Sequence, residues 1–225
     1  MDKLPACVGI ILDGNRRWAK EKGLPQLEGH RAGTEAVKTA VRAAGDMGIK
    51  HLAVFAFSTE NWQRDPAEVS YLMGLFMEMA RTHAEELAQE GARTRFIGQR
   101  ERFSPDIQKA MSDIEQKTVH NDKITLWICL SYGGRAEIAA AAQKACAAGE
   151  QATEEAIAKH LWSADMPDPD IIIRTSGEQR LSGFLLWQSA YSELFFVDKF
   201  WPDFNKGDLE AVLSEYAARE RRMGK

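Results

Sequence analysis

A short apolar run that stops at an acidic residue constrains this sequence most strongly. The run covers residues 8–12 and ends at Asp13-Gly14, which a pair of arginines soon follows. Such a run is typical of a central strand in a parallel sheet, because helices cover both faces of that strand. Ligands of open α/β sheets bind beyond the carboxyl ends of the strands. The sequence therefore predicts a functional site directly after its first strand.

The residues after this run have the chemistry of a magnesium-diphosphate site. The carboxylate of Asp13 can bind a divalent cation, and Gly14 lets backbone amides come close to a ligand. The guanidinium groups of Arg16 and Arg17 can form paired hydrogen bonds with phosphate oxygens. An Asp-Gly turn before a solvated helix end would have the same sequence, so this motif alone leaves both interpretations open.

Further apolar runs also end at polar residues. Because strands and helical segments alternate without a linker or a repeat, we predict one α/β domain over residues 1–225 with a mostly parallel sheet. The polar groups that follow the strands should then meet at one edge of the sheet. The polar segment 175–182, which contains Arg180 and Ser182, has the composition of a second anion site. The runs are residues 52–57 before the polar cluster 58–64, 124–130 before 131–135, and 170–174 before 175–182.

Composition limits the possible partners. The chain has 225 residues and is 44% hydrophobic, which fits a single domain with one hydrophobic core. Its net charge of −4 at pH 7 argues against a protein that coats nucleic acid. Its three cysteines form no CxxC motif and predict neither a disulfide framework nor a zinc site. We find no signal-peptide pattern and no apolar run of about 18 residues. We therefore expect a cytoplasmic protein that binds an anionic small molecule and no nucleic acid.

The helix predicted from Asp65 to about residue 90 has a broad apolar surface rich in methionine. Asp65 is the predicted N-cap of this helix, and Pro66 is its first helical residue. Glu68 is the acid of a predicted capping box. The apolar residues of this helix can belong to an ordinary core or can line a channel for a flexible hydrocarbon. The predicted channel walls are Leu72, Met73, Phe76, Met77 and Met79 on the helix and Phe55, Phe57, Ile124, Leu126 and Ile128 on strands, with Trp127 facing away.

Two other segments carry local predictions. The glycine and proline content of residues 22–30 predicts a loop before a helix over residues 31–47. Glu193 is a single acid in an otherwise apolar and aromatic stretch, so burial would require a partner such as Mg²⁺ or an arginine. The sequence fits equally well with Glu193 as an acid at a strand end, where its carboxylate reaches solvent.

The ordered set of motifs resembles the cis-prenyltransferases, the undecaprenyl diphosphate synthase family. The resemblance extends from Pro5 to the C-terminus, and the combination is far more specific than any one motif. The matching motifs are Asp13-Gly14-Asn15-Arg16-Arg17-Trp18, Gly29-His30-Arg31, Phe57-Ser58-Thr59-Glu60-Asn61-Trp62, Tyr132-Gly133-Gly134-Arg135, Arg174-Thr175-Ser176-Gly177-Glu178 and Leu186-Trp187-Gln188 to Glu193.

This resemblance implies a six-stranded, mainly parallel sheet flanked by helices, with a hydrophobic tunnel, in a homodimer. The implied reaction condenses isopentenyl diphosphate with an allylic diphosphate such as farnesyl diphosphate, giving undecaprenyl diphosphate for the bacterial cell-wall lipid carrier. The resemblance is also compatible with contact between the protein and a membrane surface during product release. A shorter-chain synthase and a non-catalytic partner subunit of the same fold are the alternatives, and Asp13 argues against the second.

The resemblance also implies roles for individual residues. Asp13 would bind Mg²⁺, with Glu193 as a second metal-associated acid near the dimer interface, and Arg222 would reach into the neighbouring subunit's site. Asn15, Ser58 and Asn61 remain alternatives for positioning and proton removal. Gln26 departs from the family, which usually has an arginine there. The implied substrate-binding residues are Gly14, Arg16, Arg17, Trp18, His30, Ser58, Glu60, Trp62 and Arg64, together with Arg174, Arg180 and Ser182 for isopentenyl diphosphate.

Overall fold

Six parallel strands form the centre of the molecule. The computed structural model describes residues 4–219, apart from the side chains of residues 83 and 84. The strand order is β3-β4-β2-β1-β5-β6, and every pairing is parallel, which confirms the predicted α/β fold. The strands are β1 (Cys7–Ile11), β2 (His51–Ser58), β3 (Ala92–Ile97), β4 (Ile124–Tyr132), β5 (Ile171–Arg174) and β6 (Glu193–Phe196).

Helices cover the sheet and bury most of its central strands. The larger core lies on the face that α2, α3, α4 and α7 cover, whereas Trp127 belongs to a smaller cluster on the other face, as predicted. The helices are α1 (Asn15–Glu21), α2 (Gln26–Asp46), α3 (Pro66–Gln89), α4 (Pro105–Lys117), α5 (Gly134–Ala147), α6 (Glu154–His160) and α7 (Lys206–Ala218), with short 3₁₀ helices over Thr59–Gln63, Arg100–Arg102 and Trp201–Asp203.

An irregularity in β2 changes which of its side chains face the larger core. Phe55 pairs with Cys129 and Phe57 pairs with Leu130, so β2 contains one extra residue, a β-bulge. The bulge puts Phe57 in the larger core, whereas Phe55 stacks on Phe184 in the opposite cluster with ring centroids 5.0 Å apart. The prediction that Phe55 and Phe57 share one channel wall was therefore wrong for Phe55.

The helix α2 begins at Gln26, so the predicted loop over residues 22–30 is too long. Gly29 and Gly33 weaken helix propensity, but here they let α1 and α2 pack closely. A Cβ atom at Gly29 would lie 2.0 Å from the carbonyl oxygen of Asn15, and one at Gly33 would lie 2.6 Å from its Oδ1. Packing against α1 therefore outweighs the local preference of this segment for a loop.

No helix within residues 4–219 combines the length and the apolar character needed to cross a bilayer. Cys7 and Cys129 are buried free thiols, whereas Cys146 is exposed. The described residues include no group of three or more His, Cys, Asp or Glu side chains that could hold a metal ion by themselves.

Candidate active site

The carboxyl ends of β1, β2, β4 and β5 open into a cleft of about 1360 Å³. Most of the predicted site residues meet there, although they come from four separate segments of the chain. Trp18, Trp62 and Glu193 do not line the cleft. The predicted residues that do are Asp13, Gly14, Asn15, Arg16, Arg17, His30, Ser58, Glu60, Asn61, Arg64, Arg174, Arg180 and Ser182.

Asp13 lies between arginines from both predicted anion sites. Its Oδ2 accepts a hydrogen bond of 2.7 Å from Arg174, and its Oδ1 lies 3.4 Å from a guanidinium nitrogen of Arg17. The side chain of Asp13 is 28% exposed, so its carboxylate still reaches the cleft. One carboxylate therefore joins the arginines of the two predicted anion sites.

Local backbone contacts fix Asp13 and Gly14 at the end of β1. The amide of Asp13 donates to Thr175 Oγ1 over 3.0 Å, and that hydroxyl donates to the Asp13 carbonyl over 2.8 Å. Gly14 has a φ of +104°, and a Cβ atom there would lie 2.6 Å from Cδ1 of Phe200. Only glycine therefore fits both the conformation and the space of this turn.

Arg174 organises the predicted second anion site from the end of β5. Its side chain is 5% exposed, and one guanidinium nitrogen donates to Ser182 Oγ over 2.8 Å and also to the Arg180 carbonyl. Glu178 bridges Arg180 and Arg17, the latter at 3.2 Å. The hydrogen bond from Arg180 lowers the pKa of Glu178, which keeps that carboxylate charged.

Positive side chains outnumber acids around the cleft. Lys20 and Arg135 received no binding role from the sequence, although Arg135 belongs to the motif Tyr132-Gly133-Gly134-Arg135. An excess of cations in a concave site attracts and concentrates anionic ligands. Seven lining side chains are cationic, namely Arg16, Arg17, Lys20, Arg64, Arg135, Arg174 and Arg180, and two are acidic, namely Asp13 and Glu60.

Gln26, the departure from the family pattern, also lies at the cleft. Its Oε1 accepts a hydrogen bond of 3.1 Å from Nε of Arg16. Gln26 therefore orients a neighbouring arginine, although it carries no charge of its own.

The two predicted tryptophans have structural roles outside the cleft. Trp18 Nε1 donates to Asp203 over 2.8 Å and attaches α1 to the 3₁₀ helix Trp201–Asp203. Trp62 Nε1 donates to Ser131 over 2.8 Å, and its ring packs edge-on against Phe57. The cleft lining therefore includes neither residue, because their indole rings face the protein.

Glu193 does not join Asp13 within one chain. It begins β6 opposite Ile171, which pairs with Val8, whereas Asp13 follows the other end of β1. Its carboxylate instead accepts a hydrogen bond of 2.8 Å from Arg219, which supplies the cationic partner expected for a partly buried acid. Arg222, assigned by resemblance to the neighbouring site, lies outside the described residues.

The segment after β2 carries Ser58 and Asn61 on the cleft wall. These residues form a capping box at the 3₁₀ helix Thr59–Gln63, in which the Ser58 amide donates to Asn61 Oδ1 over 3.0 Å. Asn15 differs, because its Oδ1 is buried and has no hydrogen-bond partner among residues 4–219. Of these two amide side chains, Asn15 therefore has the free acceptor.

A smaller apolar cavity of about 120 Å³ continues from the cleft between α2, α3 and the sheet. Leu72, Met73, Phe76, Met79, Phe57 and Ile128 line it, as predicted. Met77, Ile124 and Leu126 do not, because they pack in the surrounding core. The residues shared by the cleft and the cavity are Leu12, Asn15, His30, Ala56 and Leu72.

A buried carboxylate supports the wall that carries Ser182. Glu137 is fully buried and accepts hydrogen bonds from the Tyr132 hydroxyl, from the amide and hydroxyl of Ser163, and from Gln188. Burial beside this carboxylate raises the pKa of Tyr132, so its hydroxyl remains a donor. The network holds the segment that precedes Gln188 against α5.

The side chains around Asp13 could hold Mg²⁺ together with a phosphorylated substrate. Mg²⁺ commonly takes one or two carboxylates and fills its other positions with phosphate oxygens and water. Asp13 supplies one accessible carboxylate, and the surrounding arginines suit the phosphates.

Comparison with known proteins agrees with this geometry. Residues 11–224 match the prenyltransferase family model, that of undecaprenyl diphosphate synthase. The chain is 48% identical to the isoprenyl transferase of Agrobacterium fabrum over 98% of this chain and 92% of that protein. It is 45% identical to a trans,polycis-polyprenyl diphosphate synthase, (2Z,6E)-farnesyl diphosphate specific, of Thermobifida fusca, over 98% of this chain and 81% of that protein.

A solved structure shows the same fold over nearly the whole chain. The lavandulyl diphosphate synthase of Lavandula x intermedia, in complex with dimethylallyl diphosphate, superimposes with a TM-score of 0.94 at 35% identity and covers 98% of both chains. The cleft geometry, the sheet order and the sequence match therefore lead to one conclusion. This chain belongs to the undecaprenyl diphosphate synthase family of prenyltransferases, and it is a cis-prenyltransferase enzyme.

Proposed function

We propose that the protein condenses isopentenyl diphosphate with an allylic diphosphate such as farnesyl diphosphate, with undecaprenyl diphosphate as the product. The observation that carries this proposal is the position of Asp13 between Arg17 and Arg174, beside a cleft that continues into an apolar cavity. Two anionic head groups and one hydrocarbon tail would fit this arrangement. The relatives named above support the substrate class.

The arginines would stabilise the charge that develops during the reaction. As the carbon–oxygen bond of the allylic diphosphate breaks, negative charge grows on the leaving oxygens near Arg16 and Arg17. Mg²⁺ held by Asp13 would add further charge stabilisation there. Arg174, Arg180 and Ser182 would hold isopentenyl diphosphate so that its double bond attacks the allylic carbon.

Loss of a proton from carbon 2 of the isopentenyl unit completes each condensation. Asn15, Ser58 and Asn61 remain the candidates for orienting this step. Asn15 is favoured because it is the one of the three that lines both the cleft and the apolar cavity. The hydrocarbon would then move further into the cavity before the next condensation.

A direct assay tests this function. The protein is incubated with farnesyl diphosphate, labelled isopentenyl diphosphate and Mg²⁺, and the dephosphorylated products are sized. A ladder that ends at the eleven-unit product supports the proposal. The absence of any condensation would contradict it.

A shorter-chain product is the second candidate, because the apolar cavity is small. A cavity of about 150 Å³ holds a molecule the size of benzene, and this one measures about 120 Å³. A long hydrocarbon therefore requires α3 and its flexible methionines to move away from the sheet. The same product-sizing assay separates the two candidates.

We expect Met79→Trp to shorten the product without stopping the first condensation. Met79 lines the apolar cavity two turns beyond Leu72, where the cavity meets the cleft, so an indole there would block growth at a distance from the chemistry. Product sizing would measure the shift. Met77→Trp on the same helix is the control, because Met77 packs on the core outside the cavity lining. Equal product lengths in both variants would contradict the cavity as the tail site.

We also propose a homodimer that uses the edge strand β6. Tyr191, Leu194 and Phe196 are exposed there, and an apolar edge strand pairs readily with another chain. Sedimentation should give twice the chain mass of 25.2 kDa, and Leu194→Glu should shift the protein to monomer at micromolar concentration. Leu24→Glu, at an exposed leucine far from β6 in the sequence, should stay dimeric. A monomeric unmodified protein would refute this proposal.

A further inference from the structure

Glu68 joins two cleft residues although it does not line the cleft. It lies in the first turn of α3, where its Oε1 accepts a hydrogen bond of 3.0 Å from Arg64 and lies 3.2 Å from Nε2 of His30. The sequence pattern around Asp65 predicts a capping-box role for Glu68. In the structure the Asp65 side chain caps α3 alone, and Glu68 faces away from the helix end toward α2.

The surroundings of this carboxylate make its contacts strong. The side chain of Glu68 is 13% exposed and that of His30 is 9% exposed, so water screens the pair weakly. Burial lowers the pKa of His30, and the charge of Glu68 opposes this effect, while Arg64 and Arg16 add to it. Because the net effect lowers the pKa, Glu68 acts on His30 mainly by holding its imidazole in place through the contact with Nε2.

Arg64 depends on the same carboxylate for its orientation. It ends the 3₁₀ helix Thr59–Gln63 in an extended conformation, and its long side chain would otherwise sample many rotamers. The hydrogen bond to Glu68 holds the guanidinium beside the cleft that Arg64 lines. One acid thus connects α2, the 3₁₀ segment and α3.

We propose that Glu68 is a positioning residue that holds Arg64 and His30 in place for the diphosphate of the allylic substrate. This inference rests on the proposed function and assigns a specific residue to it. The isopentenyl site is supported instead by Arg174, Ser182 and the Glu137 network, which share no contact with Glu68. Loss of Glu68 should therefore affect one substrate and spare the other.

The chain offers a matched control on the same pair of helices. Glu78 of α3 pairs with Arg31 of α2 at 2.9 Å, but both side chains are about half exposed and neither lines the cleft. An exposed pair of this kind contributes little to stability. Glu78→Gln therefore removes an acid from the α2–α3 interface without touching Arg64 or His30.

The experiment compares Glu68→Gln, Glu68→Ala and Glu78→Gln in steady-state kinetics with farnesyl diphosphate and isopentenyl diphosphate. We expect both Glu68 variants to raise the KM for the allylic substrate about tenfold, with the isopentenyl KM within about twofold of the unmodified protein. Glu78→Gln should change neither. Equal increases in both KM values, or allylic KM values like that of Glu78→Gln, would overturn the proposal.

A binding measurement separates this inference from the proposed function. Titration with inorganic pyrophosphate and Mg²⁺ by calorimetry needs no turnover. About tenfold weaker binding in Glu68→Gln, with unchanged binding in Glu78→Gln, would support the positioning role even if the unmodified protein condensed no substrate. Equal pyrophosphate affinity in the two variants would refute it. Because Glu68→Gln keeps the size of the side chain, this variant remains informative if Glu68→Ala unfolds.

Discussion

Replacement of Asp13 with alanine should lower kcat at least about 10²-fold, which corresponds to about 2.7 kcal/mol of lost transition-state stabilisation. Asp13 contacts arginines of both anion sites and is the accessible carboxylate best placed for Mg²⁺. Its loss would remove the proposed ligand of Mg²⁺ and would release Arg174 and Arg17 from their shared partner. Single-turnover measurements at saturating Mg²⁺ would report the chemical step itself.

Asp203→Asn is the control for this experiment. Asp203 lies nearby and accepts the hydrogen bond of Trp18, but it does not line the cleft. Its substitution should leave kcat within about twofold. Near-normal turnover in Asp13→Ala, with thermal melting showing an intact fold, would contradict the role of Asp13.

Replacement of Glu137 with alanine should lower the free energy of unfolding by about 3 kcal/mol or more. The change leaves buried donors of Tyr132, Ser163 and Gln188 without their acceptor, and each unsatisfied group costs about 1–3 kcal/mol. Urea denaturation would measure the loss.

A combined variant tests whether unsatisfied donors cause that loss. Tyr132→Phe and Ser163→Ala remove two hydroxyl donors, so adding Glu137→Leu to them should cost less than Glu137→Ala costs alone. If adding Glu137→Leu to the Tyr132→Phe and Ser163→Ala background costs as much as Glu137→Ala costs alone, cavity formation rather than hydrogen bonding would explain the effect. An unchanged unfolding midpoint in Glu137→Ala would contradict the importance of the network.

The sequence predicted the parts of the site that follow strands. Asp13 and Arg174 each lie at or just after the end of a buried apolar run, and parallel pairing brings such ends together. The boundaries of β1, β2, β4 and β5 were predicted to within two residues for the same reason, because continuous burial produces continuous apolar runs. The parallel sheet and the meeting of these two residues thus follow from pattern and topology, whereas no strand order was predicted.

Other contacts between distant segments left no signal in the local sequence pattern. Glu68 looked like a capping residue because its local position fits a capping box, yet its partner His30 lies on another helix. The bulge in β2 that separates Phe55 from Phe57 depends on pairing with β4, which no pattern in β2 reveals. Gln26 begins α2, although the sequence predicted a loop there, because α1 packs closely against α2. In each case a long-range contact outweighs a local preference.

The chain of ion pairs through Arg180, Glu178, Arg17, Asp13 and Arg174 has a consequence for repeated turnover. A cis-prenyltransferase that extends its product must expel one diphosphate in every cycle while it retains the hydrocarbon. The guanidinium group of Arg174, whose side chain is 5% exposed, would otherwise hold the anion tightly, because an unpaired buried charge is costly. The carboxylates of Asp13 and Glu178 can take the place of the departing anion, so that each release becomes an exchange of partners.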